Sequence, residues 1–126
     1  MKYCILFIMS FISLNLTSQT ISLKHVYNPT RFIVIKNTKT ITGTVTKVIN
    51  EIDGDWHVVI DNGLVCEFIC QCKIKNVPAA TISCIGYTKI FIKPKIGQRV
   101  TITGVYVKDK KHNWFEIHPV KKLIIY

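Results

Sequence analysis

Two short polar segments carry most of the side chains in this sequence that can do chemistry. The first contains three carboxylates followed by one histidine: Glu51, Asp53, Asp55 and His57. The second combines lysines with histidines, a tryptophan and a carboxylate: Lys108, Lys110, Lys111, His112, Trp114, Glu116 and His118. Imidazole nitrogen and carboxylate oxygen are ligands for zinc or manganese, and a metal-bound water supports hydrolysis. Lysines beside an aromatic ring suit single-stranded nucleic acid or another anionic polymer.

Each of these groups also has an ordinary structural explanation. Asp53-Gly54-Asp55 is a turn composition, and a buried histidine often orients a loop by hydrogen bonding. The sequence contains no H-E-x-x-H motif, nucleophile elbow or phosphate-cradling glycine loop. We therefore predict a binding site, with no catalytic residue and no cofactor. The predicted ligand-binding residues are His57, Lys108, Lys110, Lys111, His112, Trp114, Glu116 and His118; the enzymatic alternative is a metal-dependent hydrolase using Asp53, Asp55, His57 and His118.

The elements that must position these segments are predicted to be strands. Isoleucine, valine and threonine account for 45 of the 126 residues, whereas alanine occurs only at positions 79 and 80. Period-two alternation and turn residues predict strands over 40–46, 56–61, 64–70, 100–107 and 115–125, and a short strand over 31–35. Asn62-Gly63 predicts a hairpin turn, and Pro119 is expected to interrupt the ladder of the last strand. Asn76 and Pro78 predict a short helix over 79–84.

This element order predicts an all-β fold with one short helix. Three strands, a helix and two strands is the order of the five-stranded Greek-key barrel called the OB-fold, with a sandwich as the alternative. Thr40-Ile41-Thr42-Gly43 recurs as Thr101-Ile102-Thr103-Gly104, and a glycine in each strand suits a closed barrel.

An OB-fold would bring the two polar segments together. Its ligand face is built from strands two and three with the loops joining strands one to two and four to five. Here these loops are residues 49–55 and 108–113. On the last strand we expect Trp114, Glu116 and His118 on one face and Phe115 and Ile117 on the core face.

Several segments resemble a family of small exported microbial proteins. They are Thr40-Ile-Thr-Gly-Thr-Val, Asp53-Gly-Asp-Trp-His57, Glu67-Phe-Ile-Cys70, residues 94–107 and Trp114-Phe-Glu-Ile-His-Pro-Val120. The DGDxH and EIHPV motifs carry most of the resemblance, which spans about residues 24–124. It implies an OB-like fold and carries no activity with it. Thr38 departs from the pattern, because that family tends to have a cysteine there.

Four cysteines follow the first 20 residues: Cys66, Cys70, Cys72 and Cys84. We favour a disulfide between Cys70 and Cys84, which would join the third strand to the helix and which the resemblance also implies. Cys66 is either a small buried apolar residue or the partner of Cys72 in a second bridge. The spacing lacks the paired C-x-x-C knuckles of a four-cysteine zinc site.

The N-terminus is typical of a secretory signal peptide. Residues 1–3 form a basic head, residues 4–16 form a mostly apolar run, and residues 17–19 are small or polar. We predict a signal peptide over 1–19 and a single domain over 20–126. A membrane anchor is the alternative, although a spanning helix needs about 20 apolar residues. The prediction is a secreted or periplasmic protein with no stable membrane insertion after cleavage.

The charge balance favours anionic partners. The chain has 17 basic and 7 acidic residues, a formal net charge of +10. Lysines between positions 73 and 95, interleaved with Tyr87 and Phe91, either add to a phosphate-binding surface or protect an edge strand. The predicted function is a secreted OB-fold binding module, possible partners being nucleic acid or an anionic polymer, with a hydrolase or a protein-interaction module as alternatives.

Overall fold

The computed structural model of this chain describes residues 23–61 and 63–126. The predicted signal peptide lies outside the described residues, as does Asn62 of the predicted hairpin turn. In the part of the chain that is described, no helix is long and apolar enough to cross a membrane.

Five strands and one short helix make up the fold. The strands are β1 (Phe32–Asn50), β2 (Trp56–Ile60), β3 (Leu64–Phe68), β4 (Arg99–Asp109) and β5 (Trp114–Ile125). A 3-10 turn over Pro29–Arg31 precedes β1, and the helix α1 (Pro78–Ser83) lies between β3 and β4. The predicted mainly-β class and the predicted element order are confirmed.

Two predictions about element boundaries are wrong, and a third, at Pro119, is confirmed. The run 31–35 is the first part of β1 and not a separate strand, because β1 stays paired with β4 from Phe32 onward. As predicted, Pro119 interrupts the β4–β5 ladder, which shifts register there and leaves Pro119 without a partner, although β5 itself continues through it. The helix cap is Val77 and not Asn76, which has a positive φ of 54°.

The sheet closes because β1 is long enough to pair on two sides. Its first part pairs with β4 and its last part with β2, so the hydrogen-bonded order is β1-β2-β3-β5-β4 with β4 returning to β1. The β3–β5 pairing is parallel and the others are antiparallel. Register shifts within β1 mark the irregularities at which a strand bends.

The repeated Thr-Ile-Thr-Gly segment forms one seam of this sheet. The two copies pair with each other in antiparallel register. Their threonine hydroxyls are hydrogen-bonded across the strands, at 2.9 Å for Thr40 and Thr103 and at 2.7 Å for Thr42 and Thr101. Gly104 permits a close approach of β5, since a Cβ there would lie 2.4 Å from the carbonyl oxygen of Pro119.

Two apolar clusters fill the molecule. The main core contains Val45, Trp56, Val58, Ile60, Cys66, Phe68, Val100, Ile102, Ile117 and Val120. A second cluster packs residues 23–32 against β4, with Val26 and Phe32 in contact with Val105 and Val107. We call residues 23–32 the lead-in segment. It packs on the sheet and is part of the folded domain.

The cysteine pattern supports the predicted pairing. Cys70 and Cys84 form a disulfide, which joins the end of β3 to the end of α1. Cys66 is buried and Cys72 half-buried, and both thiols are free, so the second bridge is not formed. Disulfides persist in oxidising compartments, and the bond therefore supports the predicted export.

Removal of the disulfide should destabilise the fold. We expect Cys70→Ser/Cys84→Ser to lose about 3 kcal/mol of unfolding free energy, because the bond closes a loop of about 15 residues in the unfolded chain. Urea unfolding followed by circular dichroism measures the change. Cys72→Ser is the control, with an expected change within about 0.5 kcal/mol. A double variant as stable as the parent would contradict this role for the bond.

Candidate functional site

Ionisable side chains lie on the face of β2, β3 and β5 that points away from the main core. Glu67 lies between two residues of that core, and Glu116 and His118 lie on either side of core residue Ile117. Because successive strand residues point to opposite faces, all three side chains project from the other face. The parallel pairing of β3 with β5 brings them together.

These side chains form a network in which carboxylates and imidazoles alternate. His118 Nδ1 lies 2.6 Å from Glu67 Oε2 and 3.0 Å from Glu116 Oε1. The other oxygen of Glu67 lies 2.5 Å from His57 Nε2. His57 Nδ1 in turn lies 3.4 Å from Glu51 Oε1. The network therefore runs from the loop after β1 through β2 and β3 to β5.

Mutual attraction favours the charged forms of His118, Glu67 and His57 despite their burial. Glu67, Glu116 and His118 are 3%, 0% and 4% exposed. Burial alone would lower the pKa of His118, but the two carboxylates outweigh burial and raise this pKa to about 9. Burial would raise the pKa of Glu67, but the imidazoles of His118 and His57 outweigh it and hold this pKa well below its ordinary value. Glu67 likewise outweighs the effect of burial on His57 and raises its pKa.

The lead-in segment covers the network. The ring of Phe32 lies 4.3 Å from the ring of His118, centroid to centroid. Arg31 Nη2 lies 2.5 Å from Asp109 Oδ2, and this pair fastens the segment to the end of β4. Burial would raise the pKa of Asp109, but Arg31 outweighs it and lowers the pKa. His118 and Glu116, two of the predicted ligand-binding residues, thus lie beneath other protein groups.

A cavity of about 220 Å³ lies beside the network. The two predicted loops meet there, together with β2, β3 and the lead-in segment. Its lining residues are Tyr27, Arg31, Glu51, Ile52, Asp53, His57, Glu67, Lys111 and His112. Of the predicted ligand-binding residues, His57, Lys111 and His112 reach this cavity.

The four residues of the predicted metal set have different partners. Asp53 lines the cavity, whereas Asp55 is buried and accepts a hydrogen bond from the backbone N–H of Cys70 at 2.7 Å. Burial, with the charge of Asp53, raises the pKa of Asp55 to about 7. His57 and His118 both face Glu67. Among the described residues, ligand atoms of Glu67, Glu116 and His118 lie within 4.8 Å of one another.

Trp114 and His112 mark the outer end of the network. Trp114 is 38% exposed, and its Nε1 donates a hydrogen bond to Glu116 Oε2 at 2.6 Å. Its ring lies 4.6 Å from the ring of His112, whose Nδ1 lies 2.8 Å from Asp109 Oδ2. Lys110 is exposed in the same loop. The geometry thus orients Trp114 through its ring nitrogen and leaves part of the ring accessible.

A second group of side chains forms a surface of which only Lys108 was among the predicted ligand-binding residues. Phe115 is 46% exposed, and its ring stacks on Tyr106 at 5.7 Å with an angle of 23°. Lys39 Nζ lies 3.6 Å from the centre of the Tyr106 ring, and Lys108 Nζ lies 5.9 Å from that of Phe115. We call Lys39, Tyr106, Lys108 and Phe115 the aromatic–lysine surface.

Phe115 shares the face of β5 that carries core residue Ile117, as the alternation predicts, but it is not buried in the core. Phe115 pairs with Lys108 next to the end of the β4–β5 ladder, where the main core has ended. In the sequence, the alternation of Tyr106 and Lys108 on β4 is the pattern that could have indicated the aromatic–lysine surface. No pattern could have indicated Lys39, because its proximity to Tyr106 depends on the β1–β4 register.

No protein-family model, curated protein or solved structure matches this chain. The resemblance to small exported microbial proteins stays a prediction. The functional assignment consequently depends on the geometry described above.

The network predicts that stability falls at alkaline pH. The folded-state pKa of His118, about 9, exceeds its ordinary value of 6.5. Its stabilising contribution is complete below pH 6.5 and is lost as pH rises through 9, so the unfolding free energy should fall by on the order of 2 kcal/mol between pH 7 and 9. Urea unfolding across this range measures the slope.

Glu67→Gln should make this slope shallower, because one of the two carboxylates that hold the proton on His118 is gone. His25→Gln is the matched control, since His25 contacts Ser83 and Tyr87 and lies outside the network. Equal slopes for the parent and Glu67→Gln would show that Glu67 does not hold the proton on His118.

Proposed function

We propose that this chain is an exported binding module with an OB-fold-like Greek-key barrel, and that it binds single-stranded nucleic acid on the aromatic–lysine surface. The strand order β1-β2-β3-β5-β4, with a helix between β3 and β4, supports the OB-fold part of the proposal. The net charge of +10 supports an anionic partner.

The exposed ring of Phe115 is the observation that carries the proposal. It is stacked on Tyr106, so it is held in one orientation, and its 46% exposure leaves apolar surface accessible to solvent. Any of the nucleobases can stack on such a ring, so the contact does not depend on sequence. Each stacked base contributes about 1–3 kcal/mol to the binding free energy. The ammonium groups of Lys39 and Lys108 lie beside the two rings, where they can neutralise backbone phosphates.

Nearby carboxylates do not oppose a phosphate at this surface. Asp109 and Glu116 are its nearest acidic neighbours in sequence, and both are 0% exposed. Arg31 pairs with Asp109, and His118 pairs with Glu116. The exposed charges of the β4–β5 loop are therefore those of Lys110 and Lys111, which extend the positive region toward Trp114.

The buried network has a positioning role in this proposal. Glu116 accepts the hydrogen bond that orients Trp114, and Asp109 accepts hydrogen bonds from the backbone N–H groups of Lys111 and His112, at 2.7 and 3.4 Å. Arg31 pairs with the carboxylate of Asp109, and His118 pairs with that of Glu116. A strand of nucleic acid that crosses Phe115 would thus meet a loop that is already ordered.

Phe115→Ala tests the stacking contribution. We expect it to weaken binding of a fluorescein-labelled oligothymidylate by about 1–3 kcal/mol, because the base loses its stacking partner. Fluorescence anisotropy titration measures the affinity. Tyr126→Ala is the matched control, since Tyr126 is a 69% exposed aromatic residue at the opposite end of β5. Equal affinities for Phe115→Ala and the parent would refute the proposed surface.

The salt dependence tests the lysines separately. Removal of two phosphate contacts in Lys39→Gln/Lys108→Gln should reduce the slope of log K against log salt concentration by about 1.4. Lys47→Gln/Lys95→Gln loses the same net charge away from the surface and should keep the parent slope. If the two double variants lower the slope equally, the lysines act through the overall positive charge of the protein and not through phosphate contacts at this surface. Tight binding of heparin that is insensitive to Phe115→Ala would identify a non-stacking anionic polymer as the ligand.

A further inference from the structure

Five isoleucines from the last turn of α1 to the start of β4 are strongly exposed. Their exposed fractions run from 68% to 81%, and they are Ile82, Ile85, Ile90, Ile92 and Ile96. Large apolar side chains that stay in water together on one segment commonly mark an interaction surface. We call residues 82–96 the isoleucine–lysine segment, because Lys89, Lys93 and Lys95 lie among the isoleucines.

This segment is anchored in a way that projects its isoleucines. Residues 87–95 are in neither helix nor strand. Phe91 packs edge-on against Phe68 at 5.0 Å, and its N–H donates a hydrogen bond to the side-chain oxygen of Gln71 at 2.9 Å. The side-chain nitrogen of Gln71 donates to the carbonyl of Lys89 at 2.8 Å. With Phe91 turned toward the body, its neighbours Ile90 and Ile92 are 71% and 81% exposed.

The stretch of sequence that contains this segment carries charge of one sign. Residues 68–108 contain seven basic side chains and no carboxylate. Lys89 Nζ donates to the carbonyl of Lys121, and Lys93 Nζ lies 5.2 Å from the centre of the Trp56 ring. Lys93 Nζ also donates to the side-chain oxygen of Asn50, so both ammonium groups are held by partners outside the segment. A surface that accepts these isoleucines would meet positive charge around them.

We propose that the isoleucine–lysine segment docks on an anionic lipid bilayer, with Ile90 and Ile92 entering the headgroup boundary and the lysines contacting lipid phosphates. A bilayer is favoured over a folded protein partner because the isoleucines project as separate side chains. A negatively charged leaflet also matches a stretch of 41 residues that holds no carboxylate. This association is peripheral, and it uses different residues from the aromatic–lysine surface.

Vesicle flotation tests the proposal. The purified protein should float with vesicles that contain phosphatidylglycerol and phosphatidylcholine, should float poorly with phosphatidylcholine alone, and should dissociate as salt is added. Ile90→Ser/Ile92→Ser should lower the partition coefficient by about tenfold or more, because the inserted apolar surface is lost. Ile33→Ser/Ile35→Ser is the matched control, since these two β1 isoleucines are 48% and 51% exposed and lie outside the segment.

A gain-of-signal variant covers the case in which the serine variant misfolds. With phosphatidylglycerol vesicles, the tryptophan emission of Ile92→Trp should shift to shorter wavelength. The parent, which contains Trp56 and Trp114, is the reference for this shift. Phe115→Ala should float like the parent, so failure of the nucleic-acid proposal and failure of this proposal are distinguishable.

Three results would overturn the proposal. The first is absence of flotation with phosphatidylglycerol vesicles. The second is an equal effect of the two serine pairs. The third is concentration-dependent self-association that Ile90→Ser/Ile92→Ser abolishes in the absence of vesicle binding, which would assign the segment to contact with a second copy of this chain.

Discussion

The rest of this structure depends on the pairing of His118 with two buried carboxylates, Glu67 and Glu116. Glu67 and Glu116 would each be costly to bury alone, and removal of one partner from a buried ion pair typically costs about 3–5 kcal/mol. His118 lies within 3.0 Å of both, so its positive charge compensates them at one point. β3 and β5 are therefore held together by charge on one face and by the main core on the other.

The same compensation organises the surroundings of the cavity. Phe32 covers the ring of His118, and Arg31 pairs with Asp109, so residues 23–32 close the face on which the network lies. His57 extends the network to Glu51 in the loop after β1. The two loops that line the cavity are each tied to a buried carboxylate, which explains how a small domain holds polar loops in defined positions.

Charge is distributed unequally over the molecule. Six of the seven carboxyl groups belong to the network, to the cavity wall or to the adjacent turn: Glu51, Asp53, Asp55, Glu67, Asp109 and Glu116. Residues 68–108 hold none. Glu67, Asp109 and Glu116 thus balance buried or half-buried cations, whereas the exposed lysines can act on a solvent-side partner. This separation is the physical basis of both proposed surfaces, one built around exposed aromatic rings and the other around exposed isoleucines.

Local patterns of residues predicted much of the fold. Period-two alternation located the strands, Pro78 located the helix, and the recurrence of Thr-Ile-Thr-Gly reflected two strands that pair with each other. The disulfide between Cys70 and Cys84 was predicted because it would join the third strand to the helix, as the resemblance also implies. These features depend on neighbours along the chain or on one pairing, and the sequence by itself therefore determined them.

Only the tertiary structure decided which polar residues face water. The sequence placed Glu116 and His118 in an exposed site, yet residues 23–32, which show no periodicity, fold over them. It placed Phe115 on the core face of β5, yet the core ends before that residue and leaves it exposed. It gave no role to Glu67, whose position between two core residues puts it opposite His57 and His118. The burial and pKa of each group depend on segments distant in sequence, and no local pattern records which segment will cover it.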